Sequence, residues 1–286
     1  MEELSGRTAV VIGGGSGIGR GIALGLADEA MSVVVADIDP ASASAVAEEI
    51  TGRGGRADGA AVDATRTDSL EDLAELAQTR HGHIHLLVST VGVILDRRLD
   101  QATEEEWAWF LEFNVLAQVR GVNVFLPRLR AHGQPAHVVL TSSMAGLLAL
   151  PPPLVGGVNN GLYTTTKHAL IGYSDMLRAE LAPEGIGVSV LCPGLVVGQL
   201  GVTSARHRPE RFGGPLPVPD PNRTMPPSAM PSEAVGPMVA RAVRANRFYI
   251  FTHPDTAGLV VNRHRALLED YAFAAGGPGI PRAESQ

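Results

Sequence analysis

Short β-branched segments alternate with longer amphipathic segments along almost the whole chain. Seven short segments are typical of strands: Thr8–Ile12, Ser32–Ala36, Gly59–Val62, His85–Val88, His137–Thr141, Val188–Leu191 and Phe248–Phe251. Six longer segments have the helical period: Ile18–Glu29, Ala41–Ile50, Ser69–Arg80, Glu104–Arg130, Tyr163–Leu181 and Ser232–Arg244. Apolar strands that alternate with helices are buried on both faces of a parallel sheet. The pattern therefore predicts an α/β fold, with a doubly wound, mostly parallel seven-stranded sheet and helices on both faces.

The composition is consistent with one large core. Of the 286 residues, 45% are hydrophobic and 19% are charged, which is typical of a globular protein. Because the strands and helices form a single alternating series, we predict one domain over residues 1–275. Residues 276–286 are rich in glycine, proline and charge, so we predict a flexible tail there.

Charge and cysteine content exclude several classes of function. The formal net charge is −7 and the chain has no dense block of Lys and Arg, so we expect no nucleic-acid binding. Cys192 is the single cysteine, which rules out an intrachain disulfide and favours a reducing compartment. The chain shows neither a signal peptide nor an apolar run of about 20 residues. We expect a cytoplasmic protein that does not bind membranes.

The segment 197–231 interrupts the alternation with a cluster of prolines. Eight prolines fall between Pro209 and Pro231, and no helical or strand period persists there. A loop of this length inside a compact domain is usually a lid or a disordered segment. Because strand and helix signals resume after it, we favour a substrate lid, with a linker as the alternative.

A glycine-rich turn joins the first strand to the first helix. Glycine permits positive φ and lets the backbone approach a pyrophosphate, whose charge then lies at the helix N-terminus. A flexible turn without a ligand is the alternative, but the strand before and the helix after favour dinucleotide binding in a Rossmann fold. The predicted contacts come from Gly13, Ser16, Gly17, Ile18 and Gly19.

Acidic residues end the second and third strands. Asp37 stands where a carboxylate accepts hydrogen bonds from the adenosine ribose and repels a 2′-phosphate, which favours NAD over NADP. The alternative is an Asp that caps the next helix, although Asp39 before Pro40 can do this instead. Arg20 does not change the preference, because it lies inside the first helix. Asp63 would flank the adenine, or would be a simple turn aspartate.

Tyr163 and Lys167 are four residues apart, and therefore share one face of a helix. A phenol titrates near 10, and a nearby ammonium together with a cationic nicotinamide favours the phenolate, which can exchange a proton with a hydroxyl. The alternative is an exposed surface pair. The fifth strand, however, ends just upstream in Ser142 and Ser143, at the edge where open α/β sheets bind ligands. Asn114 lies inside a helical stretch where an amide has no packing reason to be.

Taken in order, these pieces resemble the short-chain dehydrogenase/reductase family, whose single-domain members have about 250 residues. The resemblance covers nearly the whole chain. It rests on the joint occurrence of the glycine turn, Asp37, Asp63, Asn114, Ser142-Ser143-Met144-Ala145-Gly146, Tyr163-xxx-Lys167 and Pro193-Gly194.

The resemblance implies a catalytic tetrad of Asn114, Ser143, Tyr163 and Lys167. Tyr163 would be the acid/base, and Lys167 would lower its pKa and bind the nicotinamide ribose. Ser143, rather than Ser142, would hydrogen-bond the reacting oxygen. Asn114 would hold a water in a proton relay that reaches Lys167. A hydride would pass between the substrate carbon and NAD, and Pro193 and Gly194 would contact the cofactor.

The sequence departs from the family pattern at three places. Ile12 stands where a threonine commonly precedes the first glycine. Ser89-Thr90-Val91-Gly92 replaces the usual Asn-Asn-Ala-Gly, so hydroxyl groups must supply a different hydrogen-bonding pattern there. Gly198 stands at the position of a threonine that follows Pro-Gly, for which Thr203 is a possible substitute.

The predicted substrate pocket is apolar. We expect its contacts to come from Ser143, Met144, Leu150, Tyr163 and Leu195, together with the lid. The insertion between Leu150 and Asn160 would form a pocket wall, or alternatively a surface decoration. Few charged side chains fall near this pocket, so we expect a hydrophobic secondary alcohol or ketone, not a sugar phosphate or a carboxylate. A weak likeness of residues 204–213 to dehydrogenases of lignin-derived aryl ethers favours an aryl carbinol.

The leading hypothesis is an NAD-dependent alcohol dehydrogenase. The alternatives are an NADPH-dependent ketone reductase, which Asp37 disfavours, and a non-catalytic dinucleotide sensor, which has no need of a proton relay. The histidines 81, 83 and 85 precede a strand without an acidic or cysteine partner nearby, so we predict no metal site. Family members commonly form dimers or tetramers through the helices that lie here at Glu104–Arg130 and Tyr163–Leu181, so we expect a homodimer or homotetramer.

Overall fold

The computed structural model describes residues 1–150, 157–218 and 229–276 of the chain. The strands are β1 Thr8–Ile12, β2 Ser32–Asp37, β3 Arg56–Ala61, β4 Leu86–Ser89, β5 Ala136–Thr141, β6 Ile186–Cys192 and β7 Tyr249–Phe251. The helices are α1 Gly17–Asp28, α2 Pro40–Gly52, α3 Thr67–His81, α4 Glu104–Leu111, α5 Ala117–Ala131, α6 Gly161–Leu181, α7 Leu200–Arg206, α8 Val235–Arg244 and α9 Ala257–Ala274.

The seven strands form one parallel sheet in the order β3-β2-β1-β4-β5-β6-β7. Helices connect the strands that follow one another in the chain, because parallel strands cannot be joined by a tight turn. The strand order reverses between β1 and β4, which leaves a crevice at their carboxyl ends. The predicted doubly wound α/β fold is confirmed.

Alternate side chains of the strands enter two separate cores, one on each face of the sheet. Val10 and Ile12 of β1 pack on one face with apolar residues of α3, α5 and α6. Ala9 and Val11 pack on the other face with residues of α1, α2 and α8. Full burial of an aliphatic side chain stabilises the fold by about 1.5–3 kcal/mol, so the two layers hold the strand ends rigidly in place.

The segment predicted as one helix over Glu104–Arg130 is divided. Thr103 begins α4 with a reciprocal cap, in which its side chain accepts from the Glu106 amide and the Glu106 side chain accepts from the Thr103 amide. A π-helical turn, Glu112–Leu116, then separates α4 from α5. Such turns insert an extra residue into a helix and are frequent at functional sites. Asn114 lies in this turn, so the prediction of an unbroken helix was wrong where the helix carries a functional candidate.

The segment after β6 also has more structure than its prolines predict. It contains the helix α7 and a short 3₁₀ turn at Glu210–Phe212, and a parallel bridge pairs Val196 with Met230. The prediction that no helical period persists here was wrong for Leu200–Arg206. Ser204 of α7 accepts a hydrogen bond from the Ile94 amide at 3.0 Å, which attaches the segment to the loop after β4. Residues 219–228 of the predicted lid lie outside the described part of the chain.

A second compact unit begins at His253 and contains α9, which the sequence analysis missed. None of the 18 residues of α9 is buried, and Phe273 is 88% exposed. The single domain over residues 1–275 stays a prediction, and the tail at 277–286 lies outside the described residues. Within the described ranges, no helix is both long enough and apolar enough to cross a bilayer.

Candidate active site

The glycine turn after β1 has the backbone geometry that its composition predicts. Gly13 and Gly17 have φ values of +82° and +48°, a region that other residues seldom adopt. A Cβ atom on Gly19 would collide with the backbone carbonyl of Gly13. Ser16 stands at the N-cap of α1 but its side chain makes no capping hydrogen bond. The amides of the first turn of α1 therefore remain available for an anionic group.

Thr90 braces the glycine turn from the neighbouring strand. Its hydroxyl lies 3.0 Å from the carbonyl oxygens of both Ile12 and Gly13, and its amide donates to Ile12 at 2.9 Å. The expectation that a hydroxyl takes over the bracing at this position is confirmed for Thr90. A Cβ on Gly13 would lie 2.5 Å from the Thr90 hydroxyl, so the turn and its brace fit only with glycine at position 13.

Asp37 and Asp39 divide two tasks at the end of β2. The Asp37 carboxylate accepts from the amides of Gly15 at 2.9 Å and Asp39 at 3.2 Å, which aligns it with the glycine turn. Asp39 caps α2 by accepting from the Ala41 amide at 3.0 Å and the Ser42 hydroxyl at 2.6 Å. Asp37 is thus not needed as a helix cap.

Two further charged residues near the glycine turn are engaged elsewhere. The Arg20 guanidinium pairs with Glu49 at 2.8 Å and with Glu233 at 2.5 Å. Asp63 accepts from the amide and the hydroxyl of Thr65, at 2.9 Å and 2.7 Å. These bonds are typical of a turn aspartate, and the predicted contact of Asp63 with the adenine stays a prediction.

Asn114 is completely buried and its amide is fully engaged. The side-chain oxygen accepts from the Val93 amide at 2.7 Å. The side-chain nitrogen donates to the Val93 carbonyl at 3.1 Å and to the Thr166 hydroxyl at 3.0 Å. A Cβ on Gly92 would lie 2.9 Å from the Asn114 amide oxygen and 3.3 Å from the Lys167 ammonium. Asn114, Gly92 and Lys167 are therefore neighbours.

Lys167 is only 2% exposed, and its ammonium donates to the Thr141 carbonyl at 2.8 Å. The same nitrogen lies 5.4 Å from the centroid of the Tyr163 ring. Burial lowers the pKa of Lys167 to about 7. The two side chains share one face of α6, as their spacing predicts.

Burial raises the pKa of Tyr163 to about 12, and hydrogen bonding with Ser143 opposes the rise only in part. The sequence analysis expects the Lys167 ammonium and a cationic nicotinamide together to favour the phenolate, and the part of Lys167 in lowering this pKa stays a prediction. Desolvation of the phenolate is the largest cause of the raised pKa of Tyr163. A lowered pKa of Tyr163 requires further positive charge beside the ring.

The two serines after β5 have different surroundings. The Ser142 hydroxyl is buried and donates to the Lys167 carbonyl at 2.8 Å, so it ties β5 to α6. The Ser143 hydroxyl accepts from the Ala145 amide at 3.1 Å, lies 3.5 Å from the Pro193 carbonyl and interacts with the phenol of Tyr163. Of the two hydroxyls, only that of Ser143 is beside the phenol, which agrees with the choice of Ser143.

The residues predicted to contact substrate are unequally placed. Met144 is 4% exposed, Leu150 is half-buried and Leu195 is 44% exposed. Residues 151–156 of the predicted pocket wall lie outside the described part of the chain. Gly194 donates its amide to the Thr252 hydroxyl at 3.0 Å, and the Thr203 hydroxyl bonds to carbonyls within its own helix.

An aromatic cluster lies beside Tyr163 and was not identified from the sequence. Its buried members are Val93, Trp109, Phe110 and Leu162, and the residues that pack against them include Tyr163, Phe113, Phe212 and Leu216. The cluster joins α4 and α6 to the segment after α7. Because its members are far apart in sequence, no local pattern indicated it.

Gln118 is a second residue that the sequence analysis missed. It is fully buried; its side-chain nitrogen donates to the carbonyls of Val91 and Thr141, each at 3.1 Å, and its oxygen accepts from the Thr141 amide at 3.1 Å. Gln118 therefore holds the strand end whose carbonyl binds the Lys167 ammonium. Its spacing of four residues from Asn114 was the available signal, because it predicts a shared helix face.

Comparisons with known proteins agree with this geometry. The family model for short chain dehydrogenases matches residues 7–208. The chain is 31% identical over 257 residues to the 1-deoxy-11-beta-hydroxypentalenate dehydrogenase of Streptomyces exfoliatus. This alignment covers 88% of this chain and 85% of the relative. It is 25% identical over 278 residues to the C alpha-dehydrogenase of a Sphingobium species, which covers 95% of this chain and 88% of the relative.

A solved short chain dehydrogenase/reductase from Burkholderia phymatum, in complex with NAD, superposes with a TM-score of 0.82 at 28% identity and covers 100% of both chains. The chain belongs to the short-chain dehydrogenase/reductase family. It is an oxidoreductase whose relatives are dehydrogenases that act on hydroxyl groups, and the family uses a nicotinamide dinucleotide.

Proposed function

We propose that the protein is an NAD-dependent dehydrogenase that oxidises a hydrophobic secondary alcohol to the ketone, with Tyr163 as the acid/base. The observation that carries the proposal is the convergence of four side chains at one edge of the sheet. Tyr163, Lys167, Ser143 and Asn114 come from α6, the end of β5 and the π turn, yet they are linked through Thr141, Thr166 and Gly92. A buried cluster of polar and titratable side chains of this kind is typical of an active site.

The residues at the glycine turn fit a dinucleotide. The uncapped first turn of α1, the positive φ of Gly17 and the exclusion of any side chain at Gly13 and Gly19 leave backbone amides for a pyrophosphate. Asp37 and the pairing of Arg20 with two glutamates favour NAD, since a 2′-phosphate would meet a carboxylate and no free guanidinium at this turn.

The chain's residues supply position and proton transfer. NAD, when bound, supplies the hydride acceptor and a positive charge that favours the phenolate of Tyr163. Tyr163 takes the proton of the substrate hydroxyl, and Ser143 holds the same oxygen. Lys167 is fixed beside the phenol by the Thr141 carbonyl. Asn114 fixes the loop after β4 through Val93 and orients it against α6.

The substrate class is inferred from the apolar cluster beside Tyr163 and from the relatives. The name of the Streptomyces relative gives a hydroxypentalenate as the compound that is dehydrogenated, and the name of the Sphingobium relative gives a Cα atom as the position of dehydrogenation. A hydrophobic ring beside the reacting carbinol, such as an aryl carbinol, suits the aromatic surroundings of Trp109, Phe113 and Phe212.

The experiment that tests the proposal compares NADH and NADPH by fluorescence titration, and then measures NADH formation from NAD with aryl and alicyclic secondary alcohols. We expect NADH to bind at least about tenfold more tightly than NADPH, and the gap to narrow in Asp37→Asn. Tighter binding of NADPH would overturn the cofactor assignment and favour a ketone reductase. Tight NADH binding without turnover of any alcohol in the series would favour the sensing alternative.

We further propose a homodimer or homotetramer formed through the helices of the π-turn segment and α6. Leu111 and Leu116 are each 43% exposed, and Met176 on α6 is 61% exposed. Exposed apolar side chains on neighbouring helices favour burial against a second copy. Light scattering during size-exclusion chromatography measures the mass directly, and a monomer over the whole concentration range would contradict the proposal.

A further inference from the structure

Arg208 is an arginine buried beside the aromatic cluster. It follows α7 and is only 8% exposed, and its guanidinium carbon lies 4.8 Å from the centroid of the Trp109 ring. Trp109 is completely buried. Stacking on an indole stabilises a guanidinium, but it does not replace the hydrogen bonds that the group loses when it leaves water.

Within the described residues, Arg208 has no acceptor. Its Nε atom is buried without a hydrogen-bond partner, and none of the ion pairs there includes it. The buried carboxylate of α4, Glu106, is already paired with Arg97 at 3.0 Å. Glu105 feels the charge of Arg208, but it is exposed and its own bonds to Thr103 and to its backbone dominate.

A second unpartnered donor lies at the same place. The indole Nε1 of Trp109 is buried and has no acceptor among the described residues. An unsatisfied buried donor destabilises the fold, and a charged one does so more strongly. Two such donors on facing side chains, one of them cationic, form a site that an anionic oxygen acceptor would complete.

The position of this pair connects it to the reaction. Trp109 belongs to the cluster against which Tyr163, Phe212 and Leu216 pack. Tyr163 and Trp109 thus belong to one cluster, and Arg208 stacks on Trp109 at the side of α4. The guanidinium is a planar fork that binds a carboxylate through two parallel hydrogen bonds.

We propose that Arg208 and Trp109 bind a carboxylate carried by the substrate, so that the natural substrate is a hydrophobic hydroxy acid. The inference rests on the proposed dehydrogenase function and extends it from the hydroxyl end of the substrate to the opposite end. It revises the expectation that the substrate has no carboxylate. Arg208 lies in the predicted lid, but its burial against Trp109 is a tertiary property that the sequence did not reveal.

The test uses two probes of nearly equal shape that differ in charge, 4-phenylbutyrate and 4-phenylbutanamide. Binding to the full chain is measured by quenching of tryptophan fluorescence, since Trp109 is one of only two tryptophans. We expect the carboxylate to bind roughly tenfold to a hundredfold more tightly than the amide, and the preference to disappear in Arg208→Gln. Arg206→Gln is the matched control, because Arg206 is an exposed arginine two positions away, and it keeps the preference.

Equal affinities for the two probes in the unaltered protein would overturn the inference, and so would a preference that survives in folded Arg208→Gln. If Arg208→Gln does not fold, Arg208→Lys keeps the charge but loses the fork, and a reduced preference is expected. Neither probe carries a reacting hydroxyl, so their binding does not depend on hydride transfer. Loss of the probe preference would leave the role of Tyr163 intact, whereas failure of turnover would leave the probe preference intact.

Discussion

The two sides of the candidate site are built in different ways. The cofactor side consists of the glycine turn with β1, β2 and β4, and its bonds join residues of adjacent strands, such as Asp37 with Gly15 and Thr90 with Gly13. The substrate side consists of α4, the π turn and residues 200–218, which meet only through tertiary contacts such as Arg208 on Trp109. The first side is held together by hydrogen bonds between side chains and backbone, whereas the second retains buried side-chain donors without partners among the described residues. In the proposed function, local structure therefore sets the part of the chemistry that the family shares. Contacts between distant segments set the choice of substrate.

The largest expected effect is on the proton-transfer step, where the two sides meet. Tyr163→Phe removes the phenolic hydroxyl but keeps the ring in the aromatic cluster. Because general acid–base catalysis contributes about 10²–10⁴-fold, we expect turnover to fall by at least that range while NADH affinity stays nearly constant. Steady-state kinetics and NADH titration measure the two quantities. Undiminished turnover would refute Tyr163 as the acid/base.

A steric change on the cofactor side is expected to act on binding and stability together. Gly19→Ala places a Cβ against the Gly13 carbonyl, so the turn must move, at a cost of about 1–3 kcal/mol and with loss of NADH binding. Gly52→Ala is the control: no atom lies within 4 Å of the added Cβ, and helix propensity predicts a gain of up to about 1 kcal/mol. Denaturant unfolding and NADH titration distinguish the two; normal NADH affinity in Gly19→Ala would show that the turn is not rigid.

The brace between the two sides is Gln118. Gln118→Leu leaves the amide of Thr141 and the carbonyl of Val91 without their partner, so we expect unfolding to become easier by about 1–3 kcal/mol. Because the Thr141 carbonyl also binds the Lys167 ammonium, we expect the pH profile of kcat to shift as well. Gln118→Glu should restore the oxygen that accepts from the Thr141 amide, but not the nitrogen that donates to the carbonyls of Val91 and Thr141. A loss of stability with an unchanged pH profile would make Gln118 structural only.

The effect that is smallest at neutral pH concerns His137 of β5. His137 is fully buried, its Nε2 atom lies 2.7 Å from the Ser189 hydroxyl, and burial lowers its pKa to about 3. The unfolded chain binds a proton at His137 below about pH 6.5 and the folded chain does not. Stability is therefore complete above pH 6.5 and falls as the pH drops towards 3, by about 1.4 kcal/mol per pH unit. Unfolding of His137→Gln should show a smaller slope over this range, and an equal slope would assign the protons to other groups.

The contrast between the two sides also explains what the sequence could predict. β1 was predicted to the residue, and the other strands within three residues at either end, because apolar runs and turn residues are local signals. The hydrogen bonds of the Thr90 hydroxyl were predictable because Ser89-Thr90-Val91-Gly92 replaces a local family motif. By contrast, α7 was hidden by the prolines that follow it, and α9 by the lack of a buried face.

The site residues divide in the same way. The Tyr163–Lys167 pair was visible in its helical spacing, but the environment that raises the pKa of Tyr163 was not, since burial is a tertiary property. Arg208 resembled any charged residue of a loop until its stacking on Trp109 was known. Sequence patterns therefore locate the candidate reacting groups, whereas the packing of distant segments decides their protonation.

The π turn at Glu112–Leu116 has a consequence for helical phase. Each residue of an α-helix advances about 100° around the axis, so one extra residue rotates all of α5 relative to α4 by that angle. Trp109 can then face Arg208, while Asn114 lies near Lys167 and Gln118 bonds to the Thr141 carbonyl that also binds Lys167. Deletion of one residue from the π turn would rotate α5 relative to α4 and change the positions of the side chains on both helices relative to each other. This stretch should therefore tolerate changes of side chain far better than a change of length.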